Sequence, residues 1–126
     1  MRNRLIATAV TALLVVAAAV PFATAAPERT VASTTLHITA DKQALKYDKK
    51  TLTAKAGKVT IVFTNPSKMM KHDVRLKIGK KQYGGTKTIG KGTTSVTLKL
   101  TKGKYRFYCS VPGHEAAGMF GTLTVK

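Results

Sequence analysis

The chain has 126 residues, and its 22 Lys and Arg outnumber five Asp and Glu, giving a net charge of +17 at pH 7. A chain of this length holds one small domain, and its single cysteine excludes an internal disulfide. So strong a positive charge favours acidic proteins, anionic lipid headgroups or cell-wall polymers as partners. It does not predict nucleic-acid binding, because the lysines are spread along the chain rather than clustered.

Residues 1–25 have the layout of a secretory signal peptide. Two arginines precede an apolar run that ends at Val20, and Ala23-Thr24-Ala25 supplies the small residues of a cleavage site. An uncleaved membrane anchor is the alternative, which the short run with its two threonines disfavours. We therefore expect a secreted or extracytoplasmic product, in the periplasm or on the outer face of the envelope. The mature chain would begin at Ala26 and carry a net charge of about +15.

The mature part predicts a flexible lead-in over residues 26–34 and one folded domain over residues 35–126. Apolar side chains alternate with polar ones in six short runs, a period that is typical of half-buried strands. The runs contain Leu36, Ile38 and Ala40; Val59, Ile61 and Phe63; Val74, Leu76 and Ile78; Val96, Leu98 and Leu100; Tyr105 and Phe107; and Leu123 and Val125. Turn signals separate them at Ala56-Gly57, Asn65-Pro66, Gly84-Gly85, Gly90-Lys91-Gly92 and Lys102-Gly103. Such a pattern predicts an all-β, antiparallel sandwich of about seven to eight strands.

Two potential metal ligands share the inward faces of these runs. His72 has the parity of Val74 and Leu76, and Cys109 has the parity of Tyr105 and Phe107. Because side chains alternate along a strand, both should point to the interior, at or near strand ends. They can then meet at one end of the sandwich.

The segment after the Tyr105 run supplies further ligand types at close spacing. Cys109, His114 and Met119 follow one another as Cys-x4-His-x4-Met. A thiolate, two imidazoles and a weak thioether are the ligand set of a blue copper site. Taken singly, each has a plainer interpretation: a core cysteine, a surface histidine and a packing methionine. Their joint spacing, with an inward His72 upstream, favours one copper ion held by all four side chains.

These residues resemble the carboxy-terminal copper loop of the cupredoxins, the family of plastocyanin, azurin, amicyanin and auracyanin. The match covers Tyr105–Tyr108, the Cys-Ser-Val-Pro-Gly-His loop, Gly118-Met119 and Gly121–Val125. Upstream, Val59–Asn65 followed by His72 resembles the family's first-histidine region. The resemblance implies a Greek-key, cupredoxin-like sandwich and a type 1 copper protein that transfers electrons between Cu(II) and Cu(I) and is not an enzyme.

The chain departs from the family beside the first histidine. Many members have Pro before it and Asn after it, where this chain has Lys71 and Asp73. The residue after the histidine usually ties the two ligand loops together by hydrogen bonds. Asp73 can accept such bonds but cannot donate while ionised. We expect the tie to survive, with Asp73 and Ser110 next to the ligands.

The expected partner is an acidic redox protein or a component of membrane electron transport, with the product acting as a monomer. A possible apolar docking patch surrounds His114; it consists of Met69, Met70, Pro112, Ala116, Ala117 and Phe120. Electrostatic association with an anionic envelope is also compatible with the charge.

Three other functions stay open. Met69 and Met70 are soft donors that suit Cu(I), and so motivate copper binding or delivery without an electron-transfer partner. A small copper enzyme is disfavoured, since only His37, His72 and His114 are available for further sites. A cell-surface sandwich that has lost its metal would bind no copper at all.

Overall fold

The computed structural model describes residues 17–126 and contains eight β-strands. Residues 1–16, which hold most of the predicted signal peptide, lie outside the described residues, and residues 17–32 have no regular structure. No helix within residues 17–126 is long and apolar enough to cross a membrane. The strands are β1 (Ser33–Thr39), β2 (Thr51–Ala54), β3 (Gly57–Asn65), β4 (Arg75–Ile78), β5 (Lys81–Gly85), β6 (Gly92–Leu100), β7 (Gly103–Tyr108) and β8 (Phe120–Val125).

The strands form two sheets that pack as a sandwich, which confirms the predicted fold class. One sheet has the order β1-β3-β6 and the other β2-β8-β7-β4-β5. Most pairings are antiparallel, but β1 with β3 and β2 with β8 run parallel. Parallel neighbours need a crossover connection. The chain provides one for the first pair by visiting β2, in the opposite sheet, between β1 and β3.

All six predicted runs lie in or beside strands, but the sequence did not reveal β2 and β5. The predicted turn at Gly84-Gly85 is wrong, because both glycines lie inside β5. They serve close packing: a Cβ on Gly84 would meet Leu98 at 3.0 Å, and one on Gly85 would meet the Arg75 backbone at 2.7 Å. Ile78, predicted to face inward, is 40% exposed because it lies beyond the stretch of β4 that pairs with β7.

Large side chains from both sheets fill the core. Phe63 and Phe107 contact Tyr47 at ring-centroid distances of 6.2 and 5.6 Å, so a loop tyrosine joins the two sheets. Tyr105 is buried and donates its hydroxyl hydrogen to the Thr101 carbonyl at 2.8 Å. Within the part of the chain that the structure describes, every strand and every buried core residue lies in residues 33–126, and a chain beginning at Ala26 contains all of them.

The strand directions give the sandwich two distinct ends. The loop end carries residues 40–50, 66–74, 86–91 and 109–119, because β1, β3, β5 and β7 finish there and β2, β4, β6 and β8 begin there. The opposite, turn end carries the short connections β2–β3, β4–β5 and β6–β7. All four predicted copper ligands belong to the loop end.

A substitution at Gly121 tests the packing between β7 and β8. A Cβ there would collide with the Phe107 ring and lie 2.6 Å from the Lys50 carbonyl oxygen. Gly121→Ala should lower the free energy of unfolding by about 1–3 kcal/mol, the usual cost of overpacking. The matched control is Gly90→Ala, whose Cβ would have no heavy atom within 4 Å. Equal denaturation midpoints for the two variants would contradict this packing.

Candidate metal centre

His72 is fixed on the loop end by a short antiparallel bridge rather than by a strand. Its backbone N–H donates to the Ile89 carbonyl at 3.0 Å, and Ile89 donates back at 2.9 Å. His72 was predicted at or near the end of a strand, and β4 begins three residues later at Arg75. The side chain is nevertheless fully buried. The bridge gives an isolated residue a fixed position without a regular sheet.

Three donor atoms converge next to this bridge. Nδ1 of His72 lies 3.1 Å from Nδ1 of His114, while the Cys109 sulfur lies 3.8 Å from the first and 3.5 Å from the second. Cys109 is buried directly after β7, and His114 is half-buried. Nε2 of His72 is buried and has no hydrogen-bond partner among the described residues.

The same loop brings Met119 back to the cysteine. The Cys109 N–H donates to the Met119 carbonyl, and the Met119 N–H donates to the His114 carbonyl, both at 3.1 Å. Gly113 and Gly118 have φ values of +82° and +110°, which side chains rarely adopt, so glycine allows the loop to double back. Met119 is completely buried. Residues 111–118 form turns rather than a helix.

Asp73 joins the two ligand loops. Its carboxyl oxygens accept the Ser110 N–H at 2.7 Å, the Ser110 hydroxyl, and the Thr88 hydroxyl at 2.8 Å. Its own carbonyl accepts the hydroxyl of Tyr47. Because Asp73 follows His72 and Ser110 follows Cys109, these bonds fix the two ligands relative to each other. The buried carboxyl group is surrounded by donors, as a buried polar group requires.

Several residues that support the site were not predicted from the sequence. Asn65 is buried and donates through Nδ2 to the carbonyls of Met70 at 2.9 Å and Ile89 at 3.0 Å. It thereby connects the segment before His72 to the segment that forms the bridge with His72. Asn65 was interpreted only as a turn signal, and nothing in the sequence around Tyr47 or Thr88 indicated a role at the site.

Burial sets the protonation of the donors in the metal-free protein. Desolvation, reinforced by the nearby His114, lowers the pKa of His72 below its usual range. Desolvation also raises the pKa of the Cys109 thiol above its usual range. At pH 7 His72 is therefore a neutral imidazole and Cys109 a protonated thiol.

An ion-pair cluster lies beside the ligand loop. Glu115 contacts Lys77 at 2.8 Å and Arg106 at 2.9 Å. Burial opposes ionisation of Glu115, but the hydrogen bonds from both cations outweigh it and lower the pKa of this carboxyl group. The Arg106 guanidinium also lies 3.9 Å from the ring centroid of Phe120. The residue next to His114 is thus anchored to β4 and β7.

The residues of the predicted docking patch lie on the loops of the loop end or, for Phe120, where β8 begins there. Met69 is 92% exposed, and Met70 is half-buried. Pro112, Ala116 and Ala117 are exposed on the ligand loop. Phe120 is half-buried, with the Arg106 guanidinium over its ring.

The donor set and spacing fit a metal ion. Two nitrogens about 2.0–2.1 Å and one sulfur about 2.3 Å from an ion, in a trigonal plane, are separated from one another by about 3.5–3.8 Å. The separations of 3.1, 3.5 and 3.8 Å between the three donors lie close to those of such a plane. Residues 17–126 contain no other group of three His, Cys, Asp or Glu able to hold an ion.

Comparison with known proteins assigns residues 34–126 to a family model described as copper-binding proteins of the plastocyanin/azurin family. Rusticyanin of Acidithiobacillus ferrooxidans is 49% identical over 35 residues, which are 28% of this chain and 19% of that protein. Azurin of Pseudomonas fluorescens biotype C is 54% identical over 46 residues, which are 32% of this chain and 35% of that protein. The matched segments thus span about a fifth to a third of these curated relatives.

Solved structures match over a larger share of the chain. Auracyanin from Roseiflexus castenholzii has a TM-score of 0.70 and 30% identity, covering 75% of this chain and 98% of that one. Auracyanin A from Chloroflexus aurantiacus, described as a "blue" copper protein, has a TM-score of 0.69 and 27% identity. The match covers 75% of this chain and 99% of that one.

Asp73 can be tested by two substitutions. Asp73→Ala leaves the Ser110 N–H without its partner, so it should lower the unfolding free energy by about 3 kcal/mol. Copper affinity should fall about 10- to 100-fold, as for other residues that orient metal ligands. Asp73→Asn should lose less stability and less copper affinity, because the side-chain amide oxygen can still accept the Ser110 N–H. Denaturation of the metal-free protein and a copper titration measure the two effects; an alanine variant with wild-type values would refute the role.

Copper binding should release a proton. Because a raised pKa keeps the Cys109 thiol protonated at pH 7, binding must displace about one proton per copper ion. His72 contributes none there, since its lowered pKa leaves it neutral. Apparent affinity should therefore rise about tenfold per pH unit from pH 7 to 8. Anaerobic titration in a weakly buffered solution counts the protons, and a pH-independent affinity would show that the thiolate is already present.

Proposed function

The chain belongs to the plastocyanin/azurin family of copper-binding proteins, and from that premise we propose that it carries single electrons on one type 1 copper ion. His72, Cys109 and His114 supply the close ligands, and Met119 the weak axial one. The observation that carries this proposal is the convergence of three donor atoms within 4.8 Å of one another in a largely buried site. The Asp73 tie supports it, because these hydrogen bonds fix His72 and Cys109 relative to each other.

Bound copper would supply a centre that changes between Cu(II) and Cu(I) by one electron. The chain's own residues keep the surroundings constant during that change. Asp73 and the Ile89 bridge fix His72 and Cys109, while the Glu115 cluster anchors the residue after His114. Burial of His72, Cys109 and Met119 excludes water from most of the site. A site that reorganises little suits electron transfer better than catalysis.

Electrons would enter and leave through the half-buried ring of His114. It is the most exposed of the four ligands, and the predicted docking patch lies at the same end of the sandwich. An acidic redox protein or a component of membrane electron transport would dock there, steered by the protein's positive charge. The protein would act as a monomer.

The place of action would be outside the cytoplasm, in the periplasm or at the outer face of the envelope. The signal-peptide layout of residues 1–25 supports export. The large positive charge of the mature chain supports electrostatic association with an anionic envelope.

Copper delivery is the second candidate function. Met69 is 92% exposed four residues from the end of β3, and Met70 is half-buried next to the His72 segment. Two thioethers there could pass Cu(I) to the site. Loss of fast Cu(I) transfer in Met69→Leu/Met70→Leu would favour delivery, whereas an unchanged transfer rate would favour the electron carrier.

The visible spectrum tests the copper site. Copper added to residues 26–126 should produce an intense blue absorption band, and Cys109→Ser should abolish it, because a hydroxyl cannot replace the thiolate. His37→Gln is the control, since His37 is exposed on β1, and should leave the band intact. A colourless copper complex would contradict the type 1 assignment.

The reduction potential tests the role of Met119. Met119→Leu keeps an apolar side chain of similar volume while removing the thioether, so the blue band should persist. The potential should rise, because the weak axial donor no longer favours Cu(II). Cyclic voltammetry gives the shift; loss of copper or of the band would show that Met119 does more than tune the site.

A further inference from the structure

Charge is distributed unequally between the two ends of the sandwich. Residues 40–50, 66–74, 86–91 and 109–119 at the loop end hold eight lysines and also four acids, which are all the Asp and Glu of the folded domain. The turn end holds eight lysines and no acid in the segments 54–58, 78–81, 99–104 and 125–126. These are Lys55, Lys58, Lys80, Lys81, Lys99, Lys102, Lys104 and Lys126.

The strand register brings these lysines onto one surface. In the three-stranded sheet, Lys58 pairs with Lys99 where β3 begins and β6 ends. In the five-stranded sheet, Lys104 pairs with Thr124 next to the last residues of β8. The Ala56 N–H donates to the Lys126 carbonyl at 2.8 Å, which joins the β2–β3 turn to the end of β8. All eight lysines are exposed, and none forms a salt bridge with any residue in 17–126.

Two exposed apolar side chains accompany this charge. Val31 is 57% exposed beside Gly57, and Ile78 is 40% exposed at the β4–β5 turn. Together with Met69 at the loop end, they are the large exposed hydrophobic residues of the region after Pro27. A basic surface with isolated apolar side chains suits the headgroup region of a bilayer.

We propose that the turn end is a binding surface for anionic phospholipid bilayers. Lysines on several short turns, without a continuous apolar centre, fit a diffuse negative surface better than a folded protein partner, whose interface would need a packed apolar core. Bound in this way, the protein would present the loop end, with His114, away from the bilayer. The segment before β1 leaves the domain at the same end and carries one acid and one base, Glu28 and Arg29, so it adds no net charge.

The proposal extends the envelope association proposed above and does not depend on copper chemistry. If it fails, the electron-carrier function is unaffected, because the spectrum and the potential test that function separately.

Vesicle flotation tests the surface with two variants of equal net charge. The first carries Lys55→Gln, Lys58→Gln, Lys80→Gln and Lys102→Gln at the turn end. The control carries Lys42→Gln, Lys68→Gln, Lys87→Gln and Lys91→Gln at the loop end. The eight lysines substituted in the two variants are all exposed, and none of them donates a side-chain hydrogen bond within the described residues. Copper-loaded residues 26–126 are mixed with phosphatidylcholine vesicles that contain or lack phosphatidylglycerol.

The wild type should bind only the anionic vesicles and be released by high salt. Each lysine near an anionic surface contributes about fivefold to the partition coefficient. The partition coefficient of the turn-end variant should therefore fall several hundredfold, and that of the control less than about tenfold. Equal losses in both variants would overturn the proposal, since net charge alone would then explain binding. Binding of the wild type to a soluble anionic polymer, without binding to the anionic vesicles, would also overturn the proposal.

Orientation gives an independent readout. With the protein in its diamagnetic Cu(I) form, a gadolinium-labelled lipid should broaden the amide resonances of Gly79 and Lys102. Those of Gly113 and Ala116 should stay sharp. The reverse pattern would show that the loop end faces the bilayer and would contradict the assignment.

Discussion

The hydrogen bonds of Asp73 are the interaction on which the site depends. This one carboxyl group accepts from Ser110 on the Cys109 loop and from Thr88 on the β5–β6 loop, while its backbone continues from His72. Tyr47 brings in the β1–β2 loop through the Asp73 carbonyl, and its ring contacts the core residues Phe63 and Phe107. Four loops are thereby connected to the core at a single residue. Loss of the Asp73 carboxyl group would remove the bonds that join the Cys109 loop and the β5–β6 loop to the His72 segment.

The two-sheet architecture explains why such a connection is needed. The ligands lie after β7, before β4 and before β8, on segments that leave the sheets and lose the ladder hydrogen bonds. Bridges between backbone groups, such as those of His72 with Ile89 and of Cys109 with Met119, replace part of that support. These bonds hold the donors of the site in fixed positions relative to one another. Such preorganisation allows small structural change on electron transfer.

The ligand loop could be predicted because copper chemistry restricts both residue type and spacing. Cys109, His114 and Met119 were recognised from their order, and the inward direction of Cys109 followed from the parity of β7. The strand β5 could not be recognised, because Gly84 and Gly85 are typical of turns and their packing against Leu98 and Arg75 depends on the tertiary fold. Asn65, Tyr47 and Thr88 were missed for the same reason: their partners are distant in the sequence.

We propose that the copper site of this chain is rigid, with its donors held in place by Asp73 and by the backbone bridges. Crystal structures of the oxidised and reduced protein, obtained from the same crystal form, test it most directly. We expect His72, Cys109, His114 and Met119 around one ion in both states, with donor atoms displaced by less than about 0.5 Å and the Asp73–Ser110 bond intact. A ligand that leaves the ion in one state, or its replacement by Met69 or Met70, would contradict the claim.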